Sequence, residues 1–197
     1  FYNARHDPSL VVIEGFHPLK HAMRFGAELL EVVSPDLTEL AALQVEYAPD
    51  ITKSFQGLVA EVPNDVFERL GPTTPPTGVM AIARRPTVNL AELLNDPAQT
   101  PVVLLENPRN MFNIGAAVRA AAAAGAAGVI NTGNLDPWKP AALTTGVGLQ
   151  FALPVANSPD LPKCGRPLVA VDLGGDSLSD SQLPDRALLA FGTERQG

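Results

Sequence analysis

An apolar run, Val102-Val103-Leu104-Leu105, leads into Glu106-Asn107-Pro108-Arg109-Asn110-Met111-Phe112-Asn113-Ile114-Gly115-Ala116-Ala117-Val118-Arg119 and then into an alanine-rich stretch. This reads as strand, polar loop and helix start, the place where an α/β protein usually carries its site. With a helix predicted over 114–124, Asn113 stands at the N-cap, where its side chain accepts from the orphan N–H groups of the first turn. Gly115 lets another backbone come close. Arg119 lies less than two turns in. Its guanidinium stays protonated and so cannot act as a general base. It can grip a phosphate with two parallel hydrogen bonds and stabilise charge developing on an oxygen. The helix alone equally suits a surface arginine with no task; the whole string points to chemistry.

A second candidate closes the chain. Leu188-Leu189-Ala190-Phe191 is a buried strand by pattern, and Gly192-Thr193-Glu194-Arg195-Gln196-Gly197 is a glycine-flanked loop. A lone Gly-x-Glu is an ordinary turn. Here it follows a strand, as the first candidate does.

The elements that hold these loops alternate. Strands are predicted at 11–13, 29–33 and 78–83, with helices at 18–26 (Pro18 in the first turn, Gly26 ending it) and 35–43. A short helix after Val62-Pro63 takes Asn64 or Asp65 as its N-cap. The polar, proline-flanked segment 87–100 reads as a linker holding a short helix at 90–94. Beyond it, strands at 102–105, 128–130, 152–155, 168–171 and 188–191 alternate with helices at 114–124 and 140–145, which implies a mostly parallel sheet. The expected domains are 1–86, a linker at 87–100, and 101–197.

The 197 residues are 46% hydrophobic and 18% charged, enough apolar content for real cores. Net charge is −7 and the isoelectric point about 4.9, which disfavours non-specific nucleic-acid binding without excluding a local basic patch. With 8 Phe, 1 Trp and 2 Tyr, composition argues against an aromatic stacking surface. Cys164 is the only cysteine, so an internal disulfide or a cysteine-based zinc site is excluded and a reducing, cytoplasmic setting is expected. No apolar run is long enough to span a bilayer and no signal peptide opens the chain, so no membrane partner is expected. No metal is expected either, since His17 has no suitably spaced second ligand. The start at Phe1 suggests a trimmed N-terminus.

The first string resembles the first signature of the SpoU/TrmH family of RNA ribose 2'-O-methyltransferases, in the SPOUT superfamily, and the chain's ending resembles the second. The resemblance implies transfer of a methyl group from S-adenosylmethionine to a ribose 2'-hydroxyl, with Asn113 and Arg119 at the catalytic centre, Glu194 beside them and Glu106 as a weaker candidate. It implies cofactor contacts from Gly192, Phe191 and Ala190. Thr132, at the end of its parallel strand, reads first as part of a plain loop and second as a cofactor-side residue. Asp136-Pro137-Trp138-Lys139-Pro140 and Gly146 through Val155 also resemble the family, although positions that often hold a basic residue and a serine fall on Thr144 and Gly146. Trp138 reads as a packing residue. The third signature, an apolar helix opening with Ser-Leu-Asn, is not in the chain, so weak or no cofactor binding is expected of this piece. The family's fold is an α/β knot.

Glu14-Gly15-Phe16-His17-Pro18-Leu19-Lys20-His21-Ala22-Met23-Arg24 resembles the opening of the L30e-like substrate-binding domain found before many such enzymes. There Lys20, His21 and Arg24 share one helix face, which suits either phosphates or plain solvent. Arg84-Arg85 would extend that patch, and Arg109 is a further candidate RNA contact. The resemblance implies a homodimer acting on structured RNA, ribosomal RNA before transfer RNA. Two rivals stand beside it. One is a non-catalytic RNA-binding or ribosome-assembly protein that keeps the fold. The other is a Rossmann-type nucleotide enzyme, disfavoured because no G-x-G-x-x-G follows the first strand of the second unit.

Overall fold

A computed structural model describes residues 1–193 apart from Gln56, Pro162 and Leu178. The first unit holds β1 (Leu10–Glu14), α1 (Phe16–Arg24), β2 (Leu29–Ser34), α2 (Leu37–Tyr47), β3 (Val59–Glu61), α3 (Asn64–Phe67) and β4 (Met80–Arg84). Its sheet has the order β1-β4-β2-β3; β4 runs antiparallel to β1 and β2, and β3 parallel to β2. α1 begins two residues before Pro18, which therefore sits in the first turn, where its missing N–H costs nothing. Gly26 ends the helix at φ +74, a left-handed conformation that a Cβ would strain. Asp36 caps α2 by accepting from the amides of Thr38 and Glu39. The cap expected at Asn64 or Asp65 is not formed: α3 takes Pro63 as its N-cap with no side-chain bond, and both residues lie inside the single turn. A 3-10 helix over Pro49–Phe55 and the three-residue β3 were not foreseen, being too short to show a period.

The second unit holds α4 (Leu90–Asn95), β5 (Val102–Leu105), α5 (Met111–Ala123), β6 (Gly128–Asn131), α6 (Pro140–Thr145), β7 (Val155–Asn157), β8 (Leu168–Val171) and β9 (Leu188–Phe191). The strand order is β7-β6-β5-β9-β8, with every pair parallel, as the alternating pattern implied. β7 begins later than expected. Pro154 has no N–H to give the ladder, and Leu149–Phe151 before it forms a 3-10 turn. The expected linker 87–100 is built into this unit, since Leu93 and Leu94 of α4 pack with Val102, Leu104, Ile130 and Leu188.

A buried arginine fixes α4 in place. Arg166 is 5% exposed and donates to the carbonyls of Leu94 (3.0 Å), Leu93 (3.2 Å), Asp96 (3.3 Å) and Thr100 (2.9 Å). These are the orphan acceptors at and beyond the helix's C-terminus, where a cation is favoured. Burial pushes its pKa down, yet a guanidinium remains charged.

The two units share one apolar cluster, in which Ile13, Phe16 and Leu19 meet Trp138, Ala142 and Leu143. Polar contacts clamp the seam. Arg85 reaches Asp136 through two bonds of 2.8 and 2.9 Å, Lys139 Nζ donates to the Arg5 carbonyl at 2.7 Å, and His21 Nδ1 lies 2.6 Å from the Val147 carbonyl. A Cβ on Gly148 would overlap the carbonyl oxygen of Pro18, so the backbones there touch directly.

Two tests follow from the packing. Replacing Arg166 with Ala orphans several buried carbonyls at once and should cost about 3 kcal/mol, read as a lower urea midpoint. Burial holds His21 below its usual 6.5, reinforced by Lys20, Arg24 and His17 and opposed by the Val147 bond; burial lowers His17 as well. A histidine with a depressed folded pKa contributes stability that is fully present above pH 6.5 and lost as pH falls through the folded value. The thermal midpoint should therefore decline below that pH, and His21→Asn should make the slope shallower.

Candidate active site

β5 is the first strand of its sheet; the chain builds outward from it on one side, then lays down the far edge strand β8 and returns to place β9 against β5. β6 and β7 lie on one side, β9 and β8 on the other. Such a switch point leaves a crevice beyond the strands' C-terminal ends. Leu105 pairs with Phe191, and the Glu106 amide donates to the Phe191 carbonyl at 2.9 Å. The two polar segments, 82 positions apart from Asn110 to Gly192, therefore leave the sheet side by side. Between them and α5 runs an apolar groove of about 440 Å³, lined by Leu105, Pro108, Asn113, Ala117, Phe191 and Gly192 among others. Leu189 and Phe191 face this groove, whereas Leu188 and Ala190 face the α4 side. Glu194 lies outside the described residues.

A third loop is locked to the first. Asn107 takes φ +44 and donates its amide to Thr132 Oγ1 at 2.9 Å, while the Thr132 amide donates to the Leu105 carbonyl at 3.0 Å. Asparagine tolerates this left-handed conformation better than most residues. Gly133, at φ +83, passes so near that a Cβ would stand 2.5 Å from Asn107 Oδ1. Thr132, for which a cofactor-side role stood open, thus uses its hydroxyl to hold the loop after β5 in place. Buried Asn131 donates to the carbonyls of Thr132 and Leu135 and to Asn157 Oδ1, tying this loop to β7. Asn107 and Gly133 were not foreseen as a pair; the only hint was an asparagine and a glycine, both permissive at positive φ, each two positions beyond a strand.

α5 starts earlier than predicted. Its N-cap is Asn110, whose Oδ1 accepts from the Phe112 amide at 2.9 Å, and Asn113 is the third helical residue. Two asparagines three positions apart can each cap, and the earlier one wins because 111–113 all continue the helix. Gly115 does permit a close approach: a Cβ there would overlap the Ala142 carbonyl and stand 2.8 Å from the Gly146 amide nitrogen. Gly146 has a packing reason of its own. A Cβ would meet Gln150 Oε1 at 2.6 Å, and Gln150 is fully buried, donating to the Ala142 carbonyl at 2.9 Å.

Asn113 and Arg119 are both exposed but point apart. Six positions on a helix of about 100° per residue separate their directions by roughly 120°. Asn113 lines the groove; Arg119 stands on the outer arc, nearly above Phe112. A single copy does not bring the two together.

The cationic residues of the first unit do not form one open face. Arg24 chelates Asp50 at 2.6 and 2.8 Å, and Lys20 Nζ stands 5.8 Å from the Tyr47 ring centre. His21 and Arg85 are engaged at the seam, and Arg84 pairs with Glu28 at 2.8 Å. Arg109 is exposed beside the site. Trp138 is 3% exposed, donates Nε1 to the Val155 carbonyl at 3.0 Å and packs edge-on with Phe151, the packing role expected of it. Among the described residues no group of three or more His, Cys, Asp or Glu could hold a metal, and no helix is long and apolar enough to cross a membrane.

Comparison with known proteins places this geometry. The model of the SpoU rRNA Methylase family matches residues 100–197. The chain is 26% identical over 158 residues to rRNA methyltransferase 3, mitochondrial, of Mus musculus, covering 78% of this chain and 36% of that protein. It is 28% identical over 149 residues to rRNA methyltransferase 3A, mitochondrial, of Danio rerio, covering 74% and 33%. The chain thus spans about a third of the length of these relatives. Among solved structures, the AdoMet-bound rRNA methyltransferase from Sinorhizobium meliloti is 25% identical with a TM-score of 0.72, over all of this chain and 76% of that one. The SpoU methyltransferase AviRb from Streptomyces viridochromogenes, in complex with the cofactor AdoMet, is 24% identical with a TM-score of 0.78, over 100% and 78%. Both likenesses span the two units, so the α/β architecture, with its mostly parallel second sheet, is that of SpoU methyltransferases.

The tight crossing of α5 and α6 gives a direct test. Gly115→Ala forces backbone apart at Ala142 and should cost about 2–4 kcal/mol, whereas Ala116→Gly on the exposed face should cost only about 1 kcal/mol. Urea denaturation of the two variants measures both.

Proposed function

Because residues 100–197 belong to the SpoU rRNA methylase family, we propose that the protein methylates structured RNA at a ribose 2'-hydroxyl, with ribosomal RNA as the substrate ahead of transfer RNA. The observation that carries the reading is the juxtaposition at the switch point, where the loop after β5 and the loop after β9 emerge paired at Leu105 and Phe191.

S-adenosylmethionine fits this crevice. An apolar floor of Leu105, Pro108 and Phe191 suits an adenosyl group, and Gly192 offers backbone without a Cβ in the way. Phe191 and Gly192 would hold it directly, with Ala190 contributing backbone only and Thr132 acting through the loop it anchors. When bound, the cofactor supplies an electrophilic methyl group on a sulfonium. The protein's own task is to orient the 2'-hydroxyl and stabilise charge on its oxygen as the proton leaves. Arg119 does this by gripping a backbone phosphate bidentately, and an oxygen of that phosphate accepts the proton, since the guanidinium cannot. Asn113 orients the ribose from the groove side, and Glu194 orients Arg119 or the substrate.

The resemblance to the SpoU/TrmH family supports a homodimer with its site near the subunit interface. Cys164 as the only cysteine supports a reducing, cytoplasmic setting.

The test is to incubate a form of the chain extended through the third signature with S-adenosylmethionine and protein-free ribosomal RNA, digest the RNA and look for new 2'-O-methylnucleosides by mass spectrometry. A ribose methyl that disappears with Arg119→Ala, by a factor of about 100 or more, is the expected result. Arg119→Lys should lose most of the rate because it cannot grip phosphate bidentately. A methyl found on a base, or none on ribosomal or transfer RNA, sinks the reading and leaves a non-catalytic RNA-binding protein in its place.

A further inference from the structure

Phe112 is the second residue of α5 and is 62% exposed. An aromatic ring held in water on a rigid element invites an explanation, and the backbone that carries this ring is held firmly. Its amide is fixed by Asn110 Oδ1, and its helix is pressed against α6 through Gly115. Phe112 opens onto a cleft of about 680 Å³ between the two units, apart from the groove beside Asn113. The second unit contributes Lys139 and Thr144 to that cleft, and the first contributes His17 and the proline- and threonine-rich segment 72–77.

The charge of this cleft runs against that of the whole. On a chain of net −7, its lining holds Arg5 and Lys139 against a single carboxylate, Glu14, which Arg5 already pairs at 2.7 Å. Lys139 uses one donor on the Arg5 carbonyl, and an ammonium has three. Threonine hydroxyls at 73, 74 and 77 also line the space, that of Thr77 already accepting from the Phe16 amide. An exposed ring, a cation and hydroxyls in a space large enough for a nucleoside make the chemistry of an unpaired nucleotide. The base stacks on the ring, and the cation takes the phosphate.

We propose that the interdomain cleft seats one unpaired nucleotide of the substrate RNA, its base stacked on Phe112 and its phosphate paired with Lys139. This rests on the RNA reading above and adds a positioning residue to it. Composition argued against an aromatic stacking surface, but a single ring suffices for a single base. Seven positions separate Phe112 from Arg119 on nearly the same line of α5, about 10 Å along the axis. A base seated on Phe112 therefore lays the neighbouring nucleotides along the face where Arg119 waits. Both units build the walls, so the subsite exists only while they are docked.

The experiment measures affinity for protein-free ribosomal RNA at one low salt concentration, for the unaltered protein and for Phe112→Ala, Phe112→Leu and Phe112→Tyr. Unfolding midpoints are recorded alongside; Phe112 is exposed, so they should not move. Ala and Leu should each weaken binding about tenfold, and Tyr should stay within about twofold. Gly148→Ala, which breaks the seam at Pro18 without touching the cleft's ring or cation, should also weaken binding. Equal RNA affinity in all four proteins overturns the subsite while leaving the methyltransferase reading intact. Tyr losing as much as Leu overturns stacking. Failure of the unaltered protein to bind RNA at all overturns the functional reading, and the subsite with it.

Discussion

The pairing of β5 with β9 is the constraint on which the rest of the second unit depends. Two strands distant in sequence lie next to each other, parallel and in register, because β5 opens the sheet and the chain returns to its free edge only at the end. That single adjacency brings the two chemical loops out on the same side. Each remaining feature refines it. Asn107, Thr132 and Gly133 fix the direction of the first loop, and Asn131 ties the neighbouring loop back to β7. α5 then presents Asn113 to the groove and Arg119 to the outer arc at a fixed angle, since Gly115 lets α6 hold it from behind.

The seam between the units is closely made. It combines a shared apolar cluster, a two-bond arginine–aspartate pair and direct backbone contact at Gly148 and Pro18. The cationic residues that the pattern placed on an open RNA-facing helix are partly drawn into this seam. His21 turns to Val147 and Arg85 to Asp136, where the ring of Trp138 also lies within 5.8 Å of the guanidinium. The positive charge left in the lining is at the cleft where the two units meet.

Much of this was legible in the sequence, for specific reasons. The buried parallel strands read as short apolar runs, and a run such as Val102 to Leu105 has few other ways to fold. The strand–loop–helix motif was readable too, and α5 carries both Asn113 and Arg119. What stayed hidden depended on contacts between distant positions. Nothing local tells Asn110 from Asn113 as a cap, and both short elements near Pro49 and Val59 lack a period. Arg166 was invisible as well. An isolated arginine in a polar stretch reads as surface, and only the fold shows that its partners are the carbonyls of a helix about seventy positions earlier.

That separation gives the molecule a timetable. The first unit's four-stranded sheet is complete at Arg84, so it can fold while the rest is still being synthesised. The second unit has no such freedom. β5 waits for β9, and α4 waits for Arg166, so the central strand and the helix that covers it are made early and satisfied late. Contacts of such long range slow the search for the native state. In the interval Val102, Leu104 and Leu94 have no cover, and the nascent half-sheet is the part of the chain most exposed to mispairing or to capture by a chaperone.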